Sequence, residues 1–167
     1  MNAYFPDSPR AYRVEIQKVS PDADLAVVQG DLSDLKRPVL ALDAGKGAIV
    51  SGQAVVSVGY ATGLAAILAR AGEETVKAII ASTNGSPKQV LAELARRKLV
   101  RPLTTQGHVG DVLSDKIVFD AATTSGGSGG PLFNRDGMVV GVTFAVVRGF
   151  GGSNFGIPIR YAQPLFK

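Results

Sequence analysis

The chain has 167 residues, 18 basic against 14 acidic, with one histidine and no cysteine. That length fits one medium domain, or two small barrels sharing a core, and buries roughly 70% of the unfolded surface, so folding requires neither disulfide nor structural metal. The composition excludes disulfides, cysteine nucleophiles and thiolate metal sites, leaves too little imidazole for a metal site, and gives too thin a positive excess for a nucleic-acid surface; no cofactor is implied.

No stretch approaches the length of a membrane span, and residues 1–10 (Met-Asn-Ala-Tyr-Phe-Pro-Asp-Ser-Pro-Arg) lack the apolar run of a signal peptide. They carry no strand pattern and match what a cut through a larger gene product would leave. Residues 13–19 (Arg-Val-Glu-Ile-Gln-Lys-Val) alternate polar and branched apolar side chains, which predicts a strand with Val14 and Ile16 pointing inward. Ser20, Pro21 and Asp22 are turn residues, and the apolar run 25–28 begins directly after Asp24, placing a carboxylate at the mouth of a strand. Two further strand runs, 38–42 and 54–59, are bounded by turn residues such as Asp43, Gly45 and Gly47.

The period then changes. Leu64, Ile67, Leu68, Val76, Ile79 and Ile80 recur at helical spacing, with Gly72 placed to split the segment. Ser86-Pro-Lys-Gln89 predicts a further helix start, with Ser86 as cap, Pro87 at the first helical position and Gln89 completing a capping box. The basic run Arg96, Arg97, Lys98 and Arg101 suits the solvated last turn of that helix. After Pro102 strand signals return at 117–119, 138–147 and 155–157, with Asn134-Arg-Asp-Gly137 as a hairpin turn. Short strands, a helical interruption and short strands again suit two small β-barrels better than an α/β sheet.

The residues with chemical potential lie in Asp120-Ala-Ala-Thr-Thr-Ser-Gly-Gly-Ser128-Gly-Gly-Pro-Leu-Phe133. In isolation Gly-Gly-Ser-Gly-Gly is a flexible linker, but a linker does not run into Pro131, a tight turn and a ten-residue β run. Glycines beside a serine let the backbone turn tightly enough for the N–H groups of Gly126 and Ser128 to point at one spot, which makes an oxyanion hole. This stretch resembles the nucleophile loop of chymotrypsin-fold, trypsin-like serine peptidases, and most of all their bacterial HtrA-type (Deg) branch. Gly126, Ser128, Gly129, Gly130 and Pro131 match its motif. Gly141-Val-Thr-Phe144 is similar to the family's substrate-binding strand, and Asn154-Phe-Gly-Ile-Pro158 to the stretch that follows it. Upstream, Pro21-Asp-Ala-Asp24-Leu-Ala-Val27 resembles the family's aspartate segment.

The resemblance implies a mainly β, chymotrypsin-like double barrel with its first barrel incomplete and a helical insertion between barrels. Residues 1–60 would be the remnant of the first barrel, 61–103 the insertion, and 104–167 the second barrel. It further implies Ser128 as nucleophile, Asp24 as the residue that orients the base, and the amides of Gly126 and Ser128 as oxyanion donors. Ala122, Thr123, Thr143, Phe144 and Ala145 would line the substrate cleft; neither Ala122 nor Thr123 is charged, which favours cleavage after small or medium apolar residues. Gly127 and Ser125 depart from the residues usual in this branch without removing a catalytic group.

The family's histidine is expected before the aspartate, but none of the residues preceding Asp24 is His. His108 lies in a segment resembling the strand that opens the second barrel and reads as structural or pocket-lining. Removing the base from such a triad costs on the order of a millionfold in turnover, so the chain alone is expected to be nearly inert. Three readings stay open: a fragment of a serine endopeptidase acting on peptide or unfolded-protein substrates, a non-catalytic pseudopeptidase that binds peptides or proteins, and a two-part enzyme completed by a second copy or a complementing chain at the incomplete barrel. Placement in the bacterial cell envelope follows from the resemblance alone.

Overall fold

A strand with one apolar face needs something to cover that face, and the two ends of this chain meet the need differently. The computed structural model describes residues 1–43, 45, 49–146 and 153–167. In chain order, β1 (Asn2–Tyr4) and β2 (Ala11–Arg13) form one antiparallel hairpin, and β3 (Glu15–Val19) and β4 (Ala26–Gln29) a second. β5 (Ala54–Gly59) is followed by helices α1 (Leu64–Ala69), α2 (Glu73–Thr83) and α3 (Pro87–Arg96). β6 (Leu103–Val112), β7 (Ile117–Phe119), β8 (Pro131–Phe133), β9 (Val139–Val146) and β10 (Asn154–Pro158) complete the sheet, and the described chain ends in 3-10 turns at Ile159–Tyr161 and Gln163–Phe166.

Six strands close into one barrel in the order β10-β7-β6-β5-β8-β9. Closure removes free edges and turns every inward face onto a shared core of Val55, Val109, Ile117, Phe119, Ala121, Leu132 and Val140. The strand at Ala54–Gly59, expected in the first barrel, is instead a stave of this one, paired with β6 from Ala54↔His108 to Gly59↔Leu103 and with β8 at Val56↔Phe133. Its sequence pattern fixes which face is apolar but not which strand it meets. The helices therefore lie inside a hairpin, between β5 and β6, and β6 is the second strand of the barrel rather than its opening one.

The insertion has its own core on Ile67, Ile79, Val90, Leu94, Ala95 and Val100. Gly72, in the left-handed region at φ 80°, separates α1 from α2 as its position predicts. α3 begins at Pro87 after Ser86, but the Ser86 side chain makes no capping bond, so the expected capping box does not form. Near the end of α3, Arg96 and Arg97 both hydrogen-bond the Glu93 carboxylate at 2.7 Å and hold its pKa down at about 2.

Residues 1–43 form no closed barrel. The first ten residues, read as patternless, contain β1, which owes its extended form to pairing with β2 from Asn2↔Arg13 to Tyr4↔Ala11 rather than to any alternation of its own. Val14 is buried as expected, whereas Ile16 is 60% exposed, no element among the described residues covering that face of the two-stranded β3–β4 sheet. The run 38–42 is not a strand; it contributes one parallel bridge, Leu42↔Val139. Through Leu25 and Leu42 this half packs on Val139 of the barrel and on Ile159 and Ala162 of the C-terminal turns. The hairpin at residues 134–137 forms between β8 and β9, with Asn134 Oδ1 accepting the N–H groups of Asp136 and Met138 at 3.0 Å. Gly47 and Val147 fall outside the described residues. Among the described residues no helix is long and apolar enough to cross a membrane.

Candidate active site

The glycine-rich loop leaves β7 at Asp120 and enters β8 at Pro131, and it is held along its whole length. Ala121 is buried, its carbonyl accepting a hydrogen bond from buried Asn154 Nδ2 at 2.9 Å, and the Ala122 carbonyl accepts one from Thr105 Oγ1 at 2.8 Å. The Ser125 carbonyl accepts the N–H of Thr62 at 2.7 Å. Gly126 sits at φ 93°, and a Cβ there would lie 2.7 Å from the Tyr60 carbonyl oxygen, so the position demands glycine twice over. The flexible-linker reading of this loop therefore fails on its contacts.

The loop's backbone donors divide into two sets. Gly127 N–H donates to Thr124 O at 3.0 Å, Gly129 N–H to Thr143 O at 2.7 Å, and Gly130 N–H to Gly127 O at 3.1 Å. The N–H groups of Gly126 and Ser128, like those of residues 121–125, have no acceptor among the described residues. Ser128 is exposed, and its hydroxyl donates to the Phe144 carbonyl at 3.1 Å.

Asp24 and Ser128 line one cavity of about 450 Å3, although they come from opposite halves of the chain. Asp24 is exposed at the end of a tight turn in which Ser20 Oγ accepts the N–H groups of Asp22 and Ala23. No imidazole lines the cavity. His108 lies on β6 opposite Ala54, at the other end of β5 from Gly59, where a Cβ would lie 3.4 Å from the Gly127 carbonyl oxygen. Its own N–H donates to the Asp120 carboxylate and its carbonyl accepts Asp120 N–H at 3.1 Å, so the His108 backbone pins the start of the loop.

Thr143 and Phe144 line the cavity with Ser128, while Ala122 and Thr123 do not; Ala145 lies on β9, and its side chain is outside the described residues. β8 accompanies β9 only as far as Pro131↔Val142, after which the loop takes over, Thr143 N–H donating to Gly130 O at 2.9 Å. Thr143 is 1% exposed, and its Oγ1 has no partner among the described residues. Sequence reasoning missed one wall: Ile159, Ala162 and Leu165 of the C-terminal 3-10 turns also line the cavity. Their spacing of three residues was the available signal.

The family model for the trypsin-like peptidase domain matches residues 3–142, most of the chain and all of the loop around Ser128. The chain belongs to the trypsin-like peptidase family. Within that family this domain is similar to proteins named "Probable periplasmic serine endoprotease DegP-like". It is 30% identical over 158 residues to the one from Marinomonas sp. (strain MWYL1), covering 92% of this chain and 27% of the relative. It is 35% identical over 144 residues to that of Hahella chejuensis (strain KCTC 2396), covering 84% and 24%. The peptidase domain thus spans about a quarter of the length of these relatives. Among solved structures, the serine endoprotease from Yersinia pestis aligns with a TM-score of 0.64 and 19% identity over 94% of this chain and 44% of that one. The inactive form of the Rv3671c protease aligns at 0.62 and 17%, over 94% and 67%. At such identities the two structures speak for the shared, mainly β fold alone.

Proposed function

We propose that this domain carries the nucleophile side of a serine endopeptidase site, with Ser128 as the acylated residue, the amides of Gly126 and Ser128 as oxyanion donors and Asp24 as the orienter of a histidine supplied from outside the chain. The observation that carries the reading is the pair of amides on either side of Gly127: the turn that engages its donors at 127, 129 and 130 leaves those at 126 and 128, next to the Ser128 hydroxyl, for a developing oxyanion. The cavity shared by Asp24 and Ser128 supports the second half, because a base must reach both groups at once.

In that reaction Ser128 Oγ attacks the scissile carbonyl as the histidine takes its proton, and the carbonyl oxygen gathers charge against the two amides. The amine leaves with the proton, and water then releases the acyl group from Ser128. The substrate lies extended beside residues 143–146, where β9 is no longer accompanied by β8. Peptides or unfolded proteins, met in the periplasm as the relatives' names indicate, are the substrates proposed. A second reading, a peptide-binding domain without catalysis, is favoured by the Ser128 hydroxyl resting on Phe144 O and by the distance of His108.

Fluorophosphonate labelling followed by intact mass separates the two. The chain alone is expected to label at a rate about 10⁶-fold below a complete triad, the cost of losing the base, and Ser128→Ala to label not at all. Adding the histidine-bearing upstream sequence of a DegP-like relative, fused or in trans, is expected to restore Ser128-dependent labelling and peptide cleavage. Failure of any such complement to raise labelling, with the complex formed, would sink the peptidase reading.

A further inference from the structure

The core of the helical insertion is open on one side. A cavity of about 590 Å3 enters it, lined by Tyr4, Tyr60, Leu64, Ile67, Leu91 and Val100, within the roughly 300–1,000 Å3 range of small-molecule sites. No carboxylate borders it, and Lys88 at its rim makes no ion pair among the described residues. The occupant that complements these walls is apolar along its length and anionic at one end: the chain displaces water from the aliphatic and aromatic lining, and the head group meets the lone cation.

One wall is shared with the nucleophile loop. Residues 60–63 border the cavity with Tyr60 and Gly63, and on their other side Thr62 N–H is bonded to Ser125 O while the Tyr60 carbonyl packs at Gly126. Thr62, a β-branched residue, is held at φ 59°, a conformation kept only because its surroundings fix it. Burial raises the pKa of the Tyr60 phenol, in keeping with an apolar setting.

We propose that this cavity binds a long-chain carboxylate, with its chain along Leu64, Ile67 and Leu91 and its head group at Lys88, and that the occupant braces residues 60–63 and through them the nucleophile loop. The site is independent of the peptidase reading, because binding is measured without turnover.

The test is titration of the whole chain with dansyl-aminoundecanoic acid, read by fluorescence, and displacement of the probe by oleate and by oleyl alcohol. Saturable one-to-one binding displaced by oleate is expected. Lys88→Glu, at an exposed position, is expected to weaken the carboxylates about tenfold while leaving oleyl alcohol unchanged. Leu91→Trp, checked for native circular dichroism, is expected to abolish binding by filling the cavity. Amide resonances of Thr62, Ser125 and Gly126 are expected to shift with the same dissociation constant. Absence of saturable binding, or binding indifferent to both substitutions, overturns the site; binding that leaves those resonances in place overturns its link to the loop.

Discussion

The closed barrel and the β3–β4 hairpin are both built from short antiparallel strands, yet one buries its apolar faces and the other does not. In the barrel Val55, Ile117, Phe119 and Leu132 are wholly buried. In β3 every residue is exposed, and Ile16, Val19 and Val28 stand in solvent at 60, 65 and 48%. The difference is closure: six strands with no free edge make a core, and two strands alone bury too little to stabilise themselves. The candidate site straddles the divide, with Ser128 on the closed half and Asp24 on the open one, so the surroundings of Ser128 are fixed more firmly than those of Asp24.

The largest effect expected from this contrast is at the centre of the barrel. Phe119→Ala removes the largest wholly buried side chain and is expected to cost about 3–5 kcal/mol, read as a fall in the urea midpoint with an unchanged slope. A loss below about 1 kcal/mol would mean that the barrel is not the stable half, and the comparison would break there.

What the sequence discloses follows the same line. Local chemistry is legible: the glycines around Ser128, the Asn134 turn, Gly72 between helices and Pro87 at a helix start all act where they stand. Partnership is not legible, because a period of two says which face is apolar and nothing of what covers it. That is why β5 was grouped with the wrong barrel, Ile16 was expected inside, and the apolar run at 38–42 read as a strand when it supplies a single bridge to Val139. In the candidate site, Ser128, Gly126 and Asp24 are proposed from spacing and family likeness. The 3-10 turns lining the cavity and the unpartnered Thr143 hydroxyl needed the packed structure.

A smaller effect of opposite sign is expected at Thr143. Its buried hydroxyl is desolvated without a hydrogen bond among the described residues, so Thr143→Val, nearly the same shape, is expected to stabilise the domain by about 1 kcal/mol. Thermal and urea unfolding check the gain, and peptide affinity measured on the same variant shows whether the hydroxyl is kept for a ligand. A destabilised Thr143→Val would mean that the hydroxyl is satisfied in solution, for example by water.

The smallest effect belongs to the open half and is the most informative for assembly. Ile16 contributes little buried area, so Ile16→Ser is expected to change stability by less than about 0.5 kcal/mol, whereas Val14, at 6% exposure and two residues away, cannot accept serine without a loss of about 2 kcal/mol. Hydrogen exchange is expected to agree, with the amides of β3 and β4 exchanging ahead of those in β6 and β9. Should Ile16→Ser instead lose as much as Val14→Ser, the exposed face of the β3–β4 sheet must be covered in solution. Sedimentation at several concentrations then decides the cover: a dimer that Ile16→Ser dissociates identifies a second copy of this chain, and a monomer at every concentration places the cover within the chain itself.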